Sequence, residues 1–181
     1  MSGATDFWIR WRVRAGYPVG LAAFWFAKPQ PRWIFFGIGI AAVGVLLRTL
    51  AAGHLRKHEK LATSGPYAYT RNPLYLGSAF LGLGCAVAVH SWVFTTLLAG
   101  YLLVFYPMVM RREEKELQKL YGSEFAAYAA RVPAFWPRFF AEGAPGEPFS
   151  WALYRRNREY EAGIGLVLGM ALLWMLMLWR R

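Results

Sequence analysis

The sequence predicts an all-α, polytopic membrane bundle of about five transmembrane helices. The chain is 57% hydrophobic and 18% aromatic, with a mean hydropathy of +0.27, which is too apolar for a soluble domain of 181 residues. Its apolar residues gather in five windows, and its cations gather between alternate windows. No internal repeat or low-complexity linker divides the chain, so residues 1–181 are predicted to form one domain.

The five windows are apolar runs of the length that membrane helices need, or close to it. In chain order they are residues 16–27, 33–53, 74–89, 92–110 and 162–179. The first window is short and ends at "KPQPR", where prolines and charge stop a helix. A signal peptide is the alternative for this window, but the bulky "AFWFAKPQ" lacks the small residues of a cleavage site.

The distribution of charge predicts the orientation in the membrane. The net charge is +11, and 17 of the 21 lysines and arginines fall on one side of the five windows: three before the first, five from 48 to 71 and nine from 111 to 158. Because lysine and arginine concentrate in cytoplasmic segments, the amino terminus and these segments are predicted to be cytoplasmic. This bias explains the charge without a nucleic-acid partner, and anionic headgroups of the lipid bilayer are the expected contacts.

The short link "VHSW" between the third and fourth windows predicts an antiparallel hairpin. The stretch "SGPYAYTRNPLYLGS" before the third window and the stretch "RREEKELQKLYGSEFAAYAARVPAFWPRF" after the fourth therefore emerge on the same side of the membrane. They are predicted to be neighbours in space at the cytoplasmic face. The run "YRRNREYE" before the last window is predicted to contact headgroups.

The second stretch is predicted to continue the fourth helix into water with one apolar stripe. Helical spacing places five residues on this stripe: Val109, Met110, Glu113, Leu117 and Leu120. Glu113 has no cation within helical reach, unlike Glu114, which has Arg111. A half-buried carboxylate needs a partner, so Glu113 is predicted either to bind a ligand or to pair with Arg71 or another loop arginine.

The first stretch combines two constrained dipeptides with aromatic side chains. Gly65-Pro66 and Asn72-Pro73 fix the backbone, and Pro73 suits the first turn of the third helix, where its missing N–H would have no partner. Flat surfaces that can stack on an adenine or contact a cation come from Tyr67, Tyr69 and Tyr75. The alternative is an aromatic belt at the membrane interface.

The blocks "GPYAYTRNPLYLGS" and "RREEKELQKLYGSEFAAYAARVP" resemble the isoprenylcysteine carboxyl methyltransferase family and its phospholipid methyltransferase relatives. The resemblance covers roughly residues 48–138, with the hairpin between the two blocks. It implies a small helical membrane bundle with a cytosolic pocket for S-adenosylmethionine. It also implies methyl transfer to a lipid-like or small hydrophobic acceptor.

Carried over by position, the resemblance implies a set of site residues. It places the cofactor against Tyr67, Asn72, Pro73, Tyr75, Glu113 and Glu114. It places Arg71 and Arg131 near the carboxylate of a substrate, as catalytic residues. Asn72 stands where many members have histidine and where the phospholipid branch has asparagine, so a carboxylate, an amine and a thiol all stay open as acceptors. The tail from about residue 144, with the extra helix 162–179, departs from the pattern and is predicted to brace the bundle or to mediate self-association.

Other residues offer other chemistry, and two other functions are alternatives to methyl transfer. His54 and His58 lie one helical turn apart, but without a third ligand no metal site is predicted, and His54 is a candidate base. Cys85 is predicted to pack in the third window. One rival function is a nicotinamide-dependent enzyme like the membrane sterol reductases, which resemble the same fold. The other is a polybasic membrane adaptor without catalytic activity.

Overall fold

The computed structural model describes residues 2–57, 59–140 and 146–180. These residues form six α-helices and one short 3₁₀ helix, which confirms the all-α class. The α-helices are α1 (Ser2–Phe26), α2 (Pro31–Ala52), α3 (Pro73–Val89), α4 (Trp92–Arg131), α5 (Trp151–Arg156) and α6 (Tyr160–Trp179). The 3₁₀ helix is Gly65–Ala68.

Three of the helices are long and apolar enough to cross a membrane, namely α2, α4 and α6. Helix α3 is apolar as well but has only 17 residues. Helix α1, which contains the first apolar window, is not among the candidate spans of the described chain. These helices indicate a multi-pass integral membrane protein, whereas the count of five spans and the orientation stay predictions.

The described residues divide into two compact units, and the first comprises Met1–Ala42, Leu81–Arg112 and Leu166–Arg181. Within this unit α2 and α3 touch at two glycines. A Cβ added to Gly37 would lie 2.5 Å from the carbonyl oxygen of Gly84, and a Cβ added to Gly84 would lie 2.5 Å from that of Gly37. Only glycine allows two helix backbones to approach so closely. The core of the unit includes Ile34, Ala88, Val89, Phe94, Met170, Leu173 and Met177.

The turn between α3 and α4 is as tight as the sequence predicts. His90, which lies between the two helices, adopts a φ of +51°, and its N–H donates to the carbonyl oxygen of Ala86 at 3.1 Å. Beyond the turn the helices run back along each other, since a Cβ on Gly82 would lie 3.4 Å from Leu98 and 3.5 Å from Leu102. Within the first unit this confirms the antiparallel hairpin.

The second unit comprises Val43–Phe80 and Glu113–Gly165, and it contains a sharp bend in α4. Gly122 has a φ of +50° and a ψ of −119°, which is not helical. In a straight helix Glu114 and Pro133 would lie about 28 Å apart along the axis. Arg71 nevertheless contacts both, with its side chain 3.1 Å from Glu114 and its N–H 2.9 Å from the carbonyl oxygen of Pro133. The bend therefore folds the end of α4 back, and nothing in the helical pattern predicts it.

Candidate active site

The start of α3 is built by the first of the two sequence blocks, in the second unit. Gly65 opens the 3₁₀ helix with a φ of +58°, and a Cβ there would lie 2.6 Å from the ring of His54. Glycine is required here both for the left-handed backbone and for the close approach. Pro73 is the first residue of α3, and the carbonyl of Asn72 accepts the first helical hydrogen bond, from Leu76, at 3.1 Å. The predicted helix start is confirmed.

The residues that precede α3 run beside the segment that follows α4. The hydrogen bonds that join the two include the Arg71 N–H to the Pro133 oxygen (2.9 Å), the Thr70 hydroxyl to the Phe135 oxygen (2.9 Å), the Asn72 side-chain amide to the Ala134 oxygen (2.9 Å) and the Arg138 N–H to the Tyr69 oxygen (3.0 Å). The side chains of Thr70 and Asn72 are buried in this contact. The "YTRN" and "VPAFWPR" stretches are thus fixed together, although about 60 residues separate them.

Polar contacts also join α3, and residues 69–72 that lead into it (the α3 entry), to α4. The hydroxyl of Tyr75 donates to a carboxylate oxygen of Glu113 at 2.6 Å. The guanidinium of Arg71 lies 3.1 Å from the carboxylate of Glu114 and 6.0 Å from the centre of the Phe125 ring. The two sequence blocks are neighbours in space, as the short hairpin predicts. Four of the eight predicted site residues meet in these contacts.

The surroundings of Glu113 differ from those that the helical stripe predicts. Glu113 is exposed, and so is Leu120, so the stripe does not form a continuous half-buried face. From another segment, the hydroxyl of Tyr75 donates a hydrogen bond to the carboxylate of Glu113. Arg71 pairs with Glu114 across the two segments, in addition to the Arg111 that lies within helical reach of Glu114 in the sequence.

Tyr67, Asn72 and Pro73 lie beneath the surface of the site. The side chain of Tyr67 is buried, and its backbone oxygen accepts a hydrogen bond of 2.7 Å from the hydroxyl of Tyr128. Burial raises the pKa of both tyrosine side chains, so both phenols stay neutral. Their positions fit residues that shape the site, while Tyr75, Glu113 and Glu114 are more accessible.

Arg131 lies at the end of α4, after the bend at Gly122. Its side chain is exposed and donates from Nε to the backbone oxygen of Ala127 at 3.1 Å, and its own backbone oxygen accepts from Arg138. Arg71 lies at the α3 entry and is ion-paired. No described contact joins the two predicted catalytic arginines, and their shared role stays a prediction.

The sequence interpretation missed an ion pair between Arg48 of α2 and Glu159. Their closest nitrogen and oxygen lie 2.6 Å apart, and the side chains are only 22% and 11% exposed. Arg48 also donates to the backbone oxygen of Leu74 at 3.3 Å and to the hydroxyl of Ser78, both in α3. A cation inside an apolar window was the available signal, because such residues need a specific partner.

Residues 146–159, which we name the C-terminal strap, pack against the end of α2 and the loop that follows it. The contacts include Ser150 N–H to the Gly53 oxygen (3.0 Å), the Asn157 amide to the Ala52 and Leu55 oxygens (3.0 and 2.9 Å), Arg156 with Glu59 (2.8 Å) and Glu147 with Arg56 and Lys60 (2.7 and 3.0 Å). The hydrogen bond from Lys60 and the nearby Arg56 lower the pKa of the Glu147 carboxyl. Asn157 and Glu159 contact protein, whereas headgroup contact by the rest of the run "YRRNREYE" stays a prediction.

The histidines have ordinary surroundings in the described chain. The Nδ1 atom of His54 lies 2.8 Å from the backbone oxygen of Leu50, within hydrogen-bond distance. His90 stacks on Trp33 with the ring centres 4.8 Å apart. His58 lies outside the described residues. Among the described residues, no group of three or more histidine, cysteine, aspartate or glutamate side chains is placed to hold a metal ion.

Comparison with known proteins decides the family. The sequence profile described as phospholipid methyltransferase matches residues 33–124, about half of the chain, and this range includes the α3 entry, Tyr75 and both carboxylates. The chain belongs to the phospholipid methyltransferase family. The resemblance found in the two sequence blocks is thereby confirmed. No solved structure matches the chain.

Among the relatives of this chain, some are named as metal resistance proteins and others as methyltransferases. The cobalt-zinc-cadmium resistance protein CzcN of Cupriavidus metallidurans is 34% identical over 71% of this chain and 62% of its own length. The nickel-cobalt-cadmium resistance protein NccN of Alcaligenes xylosoxydans xylosoxydans is 38% identical over 56% of this chain and 47% of its own length. The protein-S-isoprenylcysteine O-methyltransferase of Schizosaccharomyces pombe is 31% identical over 47% of this chain and 36% of its own length. The chain therefore spans less than two thirds of each of these relatives.

The side chains at the candidate site fit S-adenosylmethionine, the cofactor that methyltransferases of this family use. S-adenosylmethionine carries an ammonium and a sulfonium cation beside an aromatic adenine, which call for carboxylates and aromatic rings. The structure offers the exposed carboxylate of Glu113, the Tyr75 ring that holds it and the 39% exposed ring of Tyr69. The residues present are thus compatible with this group.

Proposed function

We propose that the chain transfers a methyl group from S-adenosylmethionine to a lipid-like or small hydrophobic acceptor at the cytoplasmic face of a membrane. The observation that carries the proposal is the contact of 2.6 Å between Tyr75 and Glu113, with the ion pair between Arg71 and Glu114 beside it. All four residues lie within the range that the phospholipid methyltransferase profile matches. The assignment of the site to the cytoplasmic face of the membrane is based on the positive-inside distribution of charge.

Glu113 is proposed to bind the ammonium group of the cofactor. It is exposed at the α4 surface, and the hydroxyl of Tyr75 fixes the orientation of its carboxylate. Glu114 is less exposed and already pairs with Arg71, so it is proposed to hold the α3 entry in place and to add negative potential. Tyr67, Asn72 and Pro73 are proposed to support the cofactor pocket from beneath.

When bound, S-adenosylmethionine supplies a methyl group that is already activated on a sulfonium. The protein then has to align the acceptor and exclude water. Arg71 and Arg131 are proposed to orient the acceptor. Because Arg71 is neutralised by Glu114, an anionic acceptor has to compete with that carboxylate, whereas a neutral amine or thiol does not.

Calorimetry on purified protein in lipid nanodiscs tests the cofactor assignment. We expect wild-type protein to bind S-adenosylmethionine and not NADPH, which separates methyl transfer from the sterol-reductase alternative. Glu113→Gln keeps the size of the side chain and removes its charge, so its Kd should rise about tenfold or more. The matched control Glu124→Gln changes another exposed carboxylate of α4 and should leave the Kd within about twofold. Unchanged binding by Glu113→Gln contradicts the assignment, and binding of neither cofactor supports the adaptor.

A role in resistance to divalent metal ions is the second candidate, favoured by the names of two relatives. We propose that such a role acts through methyl transfer. Expression in a zinc-sensitive bacterial host should then improve growth in zinc for the wild-type chain and not for Glu113→Gln. Equal protection by both chains would separate the resistance from the methyltransferase site.

A further inference from the structure

Residues 135–140, "FWPRFF", which we name the aromatic segment, expose more apolar ring surface than any stretch of similar length outside the helices of the described chain. Trp136 is 77% exposed, Phe139 96% and Phe140 85%. The segment follows α4 and has no regular secondary structure. Its rings therefore do not belong to the lipid-facing side of a membrane span, and their exposure needs another explanation.

The backbone of the aromatic segment is fixed to the candidate active site. Its first residue, Phe135, accepts the hydrogen bond from the buried Thr70 hydroxyl at 2.9 Å. Further along, the N–H of Arg138 donates to the backbone oxygen of Tyr69 at 3.0 Å. These bonds hold the segment beside the residues that lead into α3. Whatever surface the rings contact also sets the position of the α3 entry.

The composition of the aromatic segment indicates the partner. In the sequence Arg138 lies between Trp136 and the two phenylalanines Phe139 and Phe140, and the exposed Arg131 lies a few residues earlier. Aromatic rings with nearby arginines are typical of protein surfaces at the boundary between headgroups and acyl chains. The exposed face of α4 before the bend carries Lys115 and Lys119 instead, which is typical of a surface in water.

We propose that the aromatic segment inserts into the headgroup region of the membrane that the helices of the chain span, and thereby holds residues 69–72 at the membrane surface. The occupant is bilayer lipid, and the apolar spans α2, α4 and α6 place the chain in contact with it. If the proposed methyl transfer is correct, the segment also brings the site to the depth at which a lipid-like acceptor is available. The insertion itself does not depend on that activity.

Spin labelling in liposomes tests the insertion without cofactor or substrate. Cys85 is the one cysteine of the sequence, so a Cys85→Ala chain accepts single labels at Phe139→Cys, Phe140→Cys and, as the water-exposed control, Lys119→Cys. Nitroxides at 139 and 140 should be relaxed more strongly by oxygen than by a water-soluble nickel chelate, and the label at 119 should show the reverse. Equal nickel access at 139 and 119 would place the segment in water. Protection at 139 from both reagents would show a protein partner or a second copy of the chain. Either result overturns the proposal.

A paired substitution provides a measurement that does not require labelling. Phe139→Ser with Phe140→Ser alters two nearly fully exposed side chains, so folding and S-adenosylmethionine binding should be unchanged. The segment should no longer insert into the headgroup region of the membrane. The KM for an acceptor supplied in liposomes should therefore rise about fivefold or more without a matching change in kcat. The control Leu120→Ser alters an exposed leucine of α4 and should leave this KM unchanged. If the wild type shows no activity, the proposed methyl transfer is refuted. The proposed insertion of the aromatic segment is not, because the spin-label experiment tests it without any activity.

Discussion

At the scale of single residues, the account depends on how the carboxylate of Glu113 is held. The phenol of Tyr75 reaches it from α3 at 2.6 Å, a length typical of a hydrogen bond to a charged oxygen. The neighbouring Glu114 is ion-paired with Arg71, in keeping with the binding role proposed for Glu113 and the structural role proposed for Glu114. Helix α3 thus contributes the hydroxyl that orients the exposed carboxylate of Glu113 on α4.

Removing the hydroxyl of Tyr75 should weaken cofactor binding and leave the fold intact. Tyr75→Phe keeps the ring, and a hydrogen bond to a charged group contributes about 1.5–3 kcal/mol. Since Glu113 is exposed, the lower end applies, and the Kd for S-adenosylmethionine should rise roughly tenfold by calorimetry.

Tyr154→Phe is the control for this substitution. It removes the same hydroxyl group from a tyrosine in α5, away from the site. Its Kd should match that of the wild type. If Tyr75→Phe binds the cofactor as tightly as the wild type, the orientation of Glu113 does not depend on the phenol and the residue-scale account fails.

The sequence predicted the chemistry of these residues better than their surroundings. Tyr75, Glu113 and Glu114 are polar side chains of the two sequence blocks, and the hairpin between the blocks brings them together. The pairing of Arg48 with Glu159 joins residues more than a hundred positions apart, and no local spacing encodes it. The helical stripe predicts a half-buried Glu113, yet Glu113 is exposed, because a stripe shows which residues share a face and not what covers that face.

At the scale of elements, the bend in α4 brings the end of the helix back to the α3 entry. Gly122 has a backbone conformation that favours glycine, and a Cβ added there would meet open space. A substitution is therefore unfavourable because of backbone strain and not because of a steric clash with neighbours. Gly122→Ala should therefore destabilise the bent form by about 1–2 kcal/mol and favour a straighter helix.

The expected result is a lower melting temperature together with weaker cofactor binding, since the hydrogen bonds between the "VPAFWPR" stretch and the α3 entry depend on the bend. Gly100→Ala is the matched control: it lies in the regular part of α4, also with open space around it. It should leave both measurements unchanged or raise the melting temperature slightly. Equal behaviour of the two variants would show that the bend does not support the site.

The ion pair between Arg48 and Glu159 joins α2 to the C-terminal strap. Glu159→Gln leaves Arg48 with its bonds to Leu74 and Ser78 but without its carboxylate. Losing one partner of a largely buried pair is destabilising, here by about 3 kcal/mol or less because both side chains retain some exposure. Thermal unfolding in detergent measures the change.

Glu161→Gln is the control for this pair, because Glu161 makes an exposed ion pair with Arg158 three residues away. Exposed pairs contribute between about 0 and 1 kcal/mol, so this variant should melt close to the wild type. A melting temperature for Glu159→Gln that equals that of Glu161→Gln would mean that the strap is held by its other contacts.

At the scale of the whole molecule, periodicity and charge predicted the order of the helices but not every boundary. The starts of α2, α3, α4 and α6 lie within about two residues of the apolar windows, because prolines and composition mark them. The length of α1, the bend in α4 and the path of the strap were not predictable, since tertiary contacts decide them. The family followed from two short blocks, and these are the parts of the sequence whose residues meet in the structure.

Transfer of a labelled methyl group is the most direct test of the central claim, that the α3 entry and the α4 carboxylates form a methyltransferase site at a membrane face. Proteoliposomes made with a lipid extract of the native host are incubated with S-adenosylmethionine labelled with tritium in the methyl group, and the label in the organic phase is measured. Wild-type protein and Glu124→Gln should label a hydrophobic product at similar rates, and Glu113→Gln should be slower by about tenfold or more. No labelled product with the wild type, or equal rates for wild type and Glu113→Gln, would contradict the account.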